Sequence, residues 1–198
     1  MTRPPMAAET EPEIGGIVLA AGEGKRFGGV KQVARLDGRP LLEHAVRAML
    51  SVPSISPVVV VLGAHAGEIQ AAVDFSGADV VVCDQWAAGQ SASLQAGVAA
   101  LGEVEAAVIT LGDQPHIDAR AIAAVIAARS DGVDAVRATY DGVPGHPVLL
   151  ERALFAELRA LRGDTGARAV LAEAAVRDVR CDGLGDAYDV DAAEDLRG

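Results

Sequence analysis

The sequence predicts an α/β fold: three layers, Rossmann-like, with a mostly parallel central sheet and helices on both faces. Three observations point to it. Short apolar runs alternate with segments whose apolar residues recur at helical spacing, the mark of successive βαβ units. Runs such as Val58-Val59-Val60-Val61-Leu62 are apolar at every position rather than every second one, as strands buried on both faces are. The chain has 198 residues, 51% of them apolar, enough for one sizeable core.

Taken in order, residues 14–20 read as the first buried strand. Leu36-Asp37-Gly38-Arg39-Pro40 is a turn, and 41–50 a helix on the spacing of Leu41, Leu42, Ala45, Val46, Met49 and Leu50. Pro53 and Pro57 end that segment before the strand at 58–62. A helix at 67–73, a strand at 78–83, a helix at 91–101, a strand at 106–111 and an Ala/Ile-rich helix at 119–128 follow. Strands at 133–140 and 148–150 flank the turn Asp141-Gly142. Helices near 153–161 and 166–174, a strand at 176–181 and a closing helix at 192–196 complete the series. Residues 1–12 are expected to be disordered and 13–198 to form one domain, with no repeat, low-complexity segment or splitting linker.

Composition narrows the function. Aromatics make up only 3%, so Ala, Val and Leu must fill the core. A net charge of −11 argues against nucleic acid or an anionic membrane as partner. Cys83 and Cys181 lie far apart on apolar stretches and read as buried free thiols. The start is polar, Pro-containing and acidic rather than a leader, and no apolar run approaches a membrane span, so a cytoplasmic protein is expected.

The chain is organised around Leu19-Ala20-Ala21-Gly22-Glu23-Gly24-Lys25-Arg26-Phe27-Gly28-Gly29-Val30-Lys31, which follows the first strand. Bare glycine backbone makes a concave anion site, and interleaved cations suit phosphate, with Arg as a fork and Lys as a point charge. Arg26 and Lys31 are expected to lie together in an exposed loop. A P-loop does not fit: Gly28 comes one residue too early after Gly24 and is followed by Gly29, not Lys. A dinucleotide fingerprint is off register, and the second strand runs into Gly63-Ala64-His65 with no acid for ribose hydroxyls. The four histidines, His44, His65, His116 and His146, show no zinc-ligand spacing, and no Gly-x-Ser-x-Gly elbow appears.

The pattern L-A-A-G-x-G-x-R-x-G-x-x-K resembles the signature loop of the MobA-like sugar-nucleotide and cofactor nucleotidyltransferases, most closely the molybdenum cofactor cytidylyltransferase branch. Further segments support it. Leu111-Gly112-Asp113-Gln114-Pro115 follows a strand, where ligands of open α/β sheets bind, and resembles the motif whose Asp carries a metal ion. Tyr188-Asp189-Val190-Asp191 is similar to a second acidic motif, with Ala192-Ala193 replacing Thr-Pro. Asp191 is favoured as ligand and Asp189 as a second ligand or outer acid, although Asp191 could instead cap the closing helix. Gly89-Gln90-Ser91-Ala92-Ser93-Leu94 resembles a nucleotide-contacting segment, with Gln90 and Ser93 as candidates. Ser91 or Ser93 is alternatively a helix N-cap. The loop-like Gly145-His146-Pro147 and Gly163-Asp164-Thr165-Gly166 resemble acceptor-side segments, and Asp164 or Thr165 could instead cap a helix.

The resemblance implies a Mg²⁺-dependent transfer of a nucleoside monophosphate, CMP from CTP, to the pterin phosphate of the molybdenum cofactor, with release of pyrophosphate. Leu19, Ala20, Ala21, Gly22, Gly24, Arg26, Lys31, Gln90, Ser93 and Asp113 would hold the nucleotide; Gly145, His146 and Asp164 the acceptor; Asp113, Asp191 and Asp189 the metal. Arg26, Lys31 and Asp113 would be catalytic. A molybdoenzyme or its chaperone would be a partner. The alternatives are a non-catalytic nucleotide-binding accessory protein and, disfavoured by the missing ribose acid, an NAD(P)-dependent oxidoreductase.

Overall fold

The apolar run at the start of the pattern becomes β1 (Ile14–Ala20), the third strand across a seven-stranded sheet in a computed structural model that describes residues 13–186 and 188–197. A small hairpin, β2 (Arg35–Leu36) and β3 (Arg39–Pro40), and α1 (Leu41–Leu50) lead to β4 (Ile55–Leu62), parallel to β1. Next come α2 (Ala66–Ala72), β5 (Asp79–Val82), α3 (Gln90–Ala100) and β6 (Ala106–Leu111), which pairs in parallel with the other side of β1. After α4 (Ala119–Ala127) the chain makes β7 (Ala135–Tyr140), β8 (Val143–Glu151), α5 (Phe155–Ala160), α6 (Arg168–Leu171) and β9 (Val176–Arg180). The strand order is β5-β4-β1-β6-β8-β7-β9. β8 runs antiparallel to β6 and β7 and the other pairings are parallel, so the sheet is mostly parallel, as the sequence predicts.

Alternation along the strands splits the core in two. Val58, Val60 and Leu62 face Leu42, Val46 and Met49 of α1, Ile69 of α2 and Ile122 and Val125 of α4. Val59, Val61 and Ile17 face Leu94 and Val98 of α3, Leu158 of α5 and Val170 and Leu171 of α6. A sheet buried on both faces explains why its strands read as unbroken apolar runs.

Several boundaries differ from expectation. β4 begins at Ile55 and takes in Pro57; its pairing with β1 is irregular between Ile14 and Gly16, because proline brings no N–H to the ladder. β8 reaches back to Val143, through Pro144 and Pro147, with a register shift at Arg137/Ala138 absorbing the break. The helix expected at 166–174 shrinks to the four residues of α6, which has no side-chain cap. The closing helix is a 3₁₀ turn, Ala193–Arg197, too short to nucleate an α-helix. The expected disordered start, 1–12, lies outside the described residues. Among the described residues no helix is long and apolar enough to cross a membrane.

The connection after β1 goes to one side of it and the connection after β5 crosses to the other. The carboxyl ends of β1 and β6 therefore form a topological switch point, where open α/β sheets take their ligands. Leu19 pairs with Leu111 there, and Gly112 N donates to Leu19 O at 2.8 Å.

Candidate functional site

The signature loop leaves β1 at this switch point. Gly24, at φ 67°, takes a left-handed conformation that a side chain would resist and turns the chain into the 3₁₀ segment Lys25–Phe27. Ala64 N donates to Ala21 O at 3.1 Å, tying the loop to the end of β4. Gln32, 3% exposed, donates from Nε2 to Ala20 O at 3.2 Å and Gly22 O at 3.0 Å.

Lys31 reaches back from the second 3₁₀ turn, Lys31–Val33, to the end of β6. Its Nζ lies 2.5 Å from Asp113 Oδ2, 3.4 Å from Val190 O and 3.8 Å from Asp191 Oδ1. Arg26 Nη2 is 2.9 Å from Asp191 Oδ2. The expectation that both cations lie exposed is half corrected: Arg26 is 77% exposed but Lys31 only 11%, because the C-terminal segment folds over it. That segment is held by Val190 N donating to Asp113 O at 2.9 Å. Asp191 is not a helix cap. Its own N–H and that of Ala192 donate to Asp195 Oδ2 at 2.8 Å each, which frees the Asp191 carboxylate for the cations. Asp189 accepts from Gln114 Nε2 at 2.7 Å. Burial raises its pKa and the nearby charges of Asp113 and Asp191 add to that, while Gln114 and Lys31 oppose it.

Arg26, Lys31, Asp113 and Asp191 border a cavity of about 740 Å³; Asp189 is not in its lining. Of the sequence-predicted nucleotide residues, Leu19, Ala21, Gly22, Gly24, Arg26, Lys31, Gln90, Ser93 and Asp113 line it, as do Asp164 and Asp191; Ala20 lines a recess of about 90 Å³ beside it. Gln90 and Asp164 meet because the 163–166 segment crosses the start of α3. Ser91 Oγ donates to Gly163 O at 2.8 Å, and Asp164 Oδ1 accepts from Gln90 N at 3.4 Å. Neither Ser91 nor Ser93 caps the helix, and Asp164 reaches α3 rather than capping its own helix. A Cβ on Gly89, whose φ is 115°, would stand 2.3 Å from Gly163 C, so this crossing needs glycine. Gly145 and His146 are not loop residues but part of β8, outside the cavity lining. Burial pushes the His146 imidazole down to about 4, against the charge of Asp113, so it is neutral near pH 7.

Sequence reasoning missed three contributors. Trp86, with Ala87 and Ala88, lines the cavity. Glu23 and Lys25 form an ion pair of 3.2 Å among its lining residues. Gln32 pins the loop from behind. The lone Trp followed by two small residues and a glycine was the one available signal.

The acids fit a hard divalent cation. Asp113 and Asp191 already share one cationic group, and Asp189 crowds them with a third carboxyl. Among the described residues no three His, Cys, Asp or Glu side chains converge on a complete metal shell. Mg²⁺ usually rests on one or two carboxylates and completes its shell from phosphates and water.

The MobA-like NTP transferase domain matches residues 16–179. The nicotine blue oxidoreductase of Paenarthrobacter nicotinovorans is 31% identical over 195 residues, 93% of this chain and 95% of its own. The molybdenum cofactor cytidylyltransferase of Escherichia coli is 26% identical over 69% of each chain. The bifunctional IspD/IspF enzyme of Rhodospirillum rubrum is 28% identical over 64% of this chain, which spans only 34% of that enzyme's length. Among solved structures, Rv0371c of Mycobacterium tuberculosis has a TM-score of 0.83 at 29% identity, covering 95% of this chain and 97% of that one. A structure of the same protein in complex with manganese has a TM-score of 0.77 at 28% identity, covering 93% and 96%.

Proposed function

This chain belongs to the MobA-like NTP transferase family, and from that premise we propose that it transfers CMP from CTP to a phosphate-bearing pterin, the molybdenum cofactor, releasing pyrophosphate. The observation that carries the reading is the centre at the switch point: the Lys31 ammonium between Asp113 and Asp191, beside a glycine loop and a cavity of about 740 Å³. Kinship with the Escherichia coli molybdenum cofactor cytidylyltransferase supports the choice of donor and acceptor.

The chemistry follows from charge. A phosphate monoester is mostly dianionic near neutral pH, with a second pKa of about 6, so it is already a nucleophile and needs no general base. What remains is to bring two anions together in line and to offset charge at the α-phosphorus and on the departing pyrophosphate. The glycine loop from Ala21 to Gly24 receives the triphosphate through backbone N–H groups. Arg26 and Lys31 draw negative charge onto the leaving pyrophosphate. Gln90 and Ser93 at the start of α3 bind the nucleoside, and Asp164, fixed to the same helix start, borders the acceptor side. Asp113 and Asp191, with Asp189 beside them, would hold Mg²⁺, which when bound supplies charge neutralisation at the phosphates. His146, expected on the acceptor side, lies in β8 outside the cavity lining, and burial keeps its imidazole neutral, so it adds no positive charge there.

The test is a panel of nucleoside triphosphates against phosphate acceptors, molybdenum cofactor included, followed by pyrophosphate release. CTP with the pterin acceptor should turn over fastest; no release with any pair would refute catalysis and leave the accessory-protein reading. One observation favours a second reading, in which the cleft serves a nicotinamide dinucleotide: the likeness to nicotine blue oxidoreductase over nearly the whole chain. The absence of an acid in Gly63-Ala64-His65 speaks against it, and an NADPH binding titration separates the two.

A further inference from the structure

Resting on the nucleotidyltransferase reading, we infer that Gln32 is a positioning residue for the triphosphate: its side-chain amide turns the carbonyls of the signature loop inward and so leaves that loop's N–H groups to the phosphates. Four consecutive carbonyls are engaged where the chain leaves β1. Leu19 O accepts from Gly112 N at 2.8 Å and Ala21 O from Ala64 N at 3.1 Å. Ala20 O and Gly22 O both accept from Gln32 Nε2, at 3.2 and 3.0 Å. The first and third are held by backbone donors that any side chains would leave in place. The second and fourth depend on one side chain, that of Gln32, itself only 3% exposed.

The amide's orientation favours its donors over its acceptor. Its Oε1 is buried with no hydrogen-bond partner, an arrangement that a residue filling space alone would avoid. A phosphate-binding loop must present donors and hide acceptors, because a carbonyl oxygen aimed at a triphosphate repels it. Among the described residues the N–H groups of Gly22, Glu23 and Gly24 donate to no protein acceptor, and all three residues line the cavity. The turn Lys31–Val33 therefore sets two parts of the site at once: Lys31 organises the acids and Gln32 organises the loop.

The experiment is calorimetric titration of the full chain with CTP and with CMP in the presence of Mg²⁺, in wild type and Q32M. Methionine keeps the length of the side chain and removes both donors. CTP binding should weaken by about tenfold or more, and CMP binding, without the β- and γ-phosphates, by less than about threefold, so that the ratio of affinities collapses. An unchanged ratio, whether both ligands bind normally or both weaken equally, would overturn the inference and make Gln32 a packing residue. If Q32M does not fold, the wild type still decides the matter: by NMR its Gln32 side-chain amide hydrogens should exchange slowly with solvent, and pyrophosphate should shift the amide resonances of Gly22 and Gly24. Rapid exchange or unmoved resonances would overturn it. Wild-type chain that fails to bind CTP at all would overturn the nucleotidyltransferase reading and this inference together; normal wild-type binding with an unmoved ratio in Q32M overturns this inference alone.

Discussion

In the proposed reaction Asp113 would meet the phosphates of the donor nucleotide and Ala21 its base. The Asp113 carboxylate keeps one oxygen on Lys31 and 23% of its side chain open to the cavity, so it can exchange part of its contact with the ammonium for contact with a cation. Asp113→Asn keeps the shape and removes the charge. Pyrophosphate release should fall by at least about a hundredfold, since charge stabilisation worth several kcal/mol is lost, while the melting temperature changes little. A variant with wild-type turnover at ordinary Mg²⁺ would remove Asp113 from the site. Ala21 is 6% exposed, lines the cavity and has its carbonyl held by Ala64. One methyl in a size-excluding pocket is worth about 1–3 kcal/mol, so CTP should be preferred over GTP by roughly one to two orders of magnitude. Ala21→Gly should narrow that gap in kcat/KM by admitting GTP; an unmoved ratio would move selectivity to the Trp86 wall or to Gln90.

At the scale of elements, two segments are held by contacts that sequence periodicity does not describe. The 163–166 segment reaches the start of α3 only because Gly89 has no side chain. With φ at 115° and a hypothetical Cβ 2.3 Å from Gly163 C, Gly89→Ala must either move the segment or strain the backbone. Thermal unfolding should show a loss of about 2–4 kcal/mol, with a comparable fall in activity as Asp164 leaves Gln90. β8 carries the second effect. Its His146 imidazole has a pKa near 4 in the folded chain against the ordinary 6.5 when unfolded. Between those values the unfolded chain binds the proton and the folded chain does not. Stability from this group is therefore complete above about pH 6.5, declines as the pH falls to about 4, and declines no further below that. His146→Gln should flatten that portion of the stability profile measured by urea unfolding; a profile as steep as the wild type's would place the titration elsewhere.

For the whole molecule, the sheet order brings residues from positions 21, 86, 113, 164 and 191 to one cavity, so ligand binding should stiffen the entire fold rather than one loop. CTP with Mg²⁺ at a hundred times its Kd should add about 2.7 kcal/mol of stability, EDTA should remove the gain, and NADPH should give none. Trp86, the chain's single tryptophan, stands in the cavity wall, so its fluorescence should change on the same titration. A rise in Tm with NADPH alone would favour the oxidoreductase reading. The sequence by itself determined the parts that depend on local periodicity and on chain order. Unbroken apolar runs alternating with helical spacing require a covered parallel sheet, and that sheet puts Gly22, Gly24 and Asp113 just past the carboxyl ends of β1 and β6. Only the tertiary structure decided what depends on the facing surface. Resemblance favours Asp191 over Asp189 as ligand, but only the packing shows how they part: Asp195 holds the turn so that Asp191 meets Arg26 and Lys31 while Asp189 goes to Gln114. Likewise, Lys31 and Gln32 read as a polar pair after a glycine loop. Lys31 is largely covered because the C-terminal segment lies over it, and Gln32 is buried against the loop's own carbonyls; a side chain's desolvation is set by what packs against it, not by its neighbours in the chain.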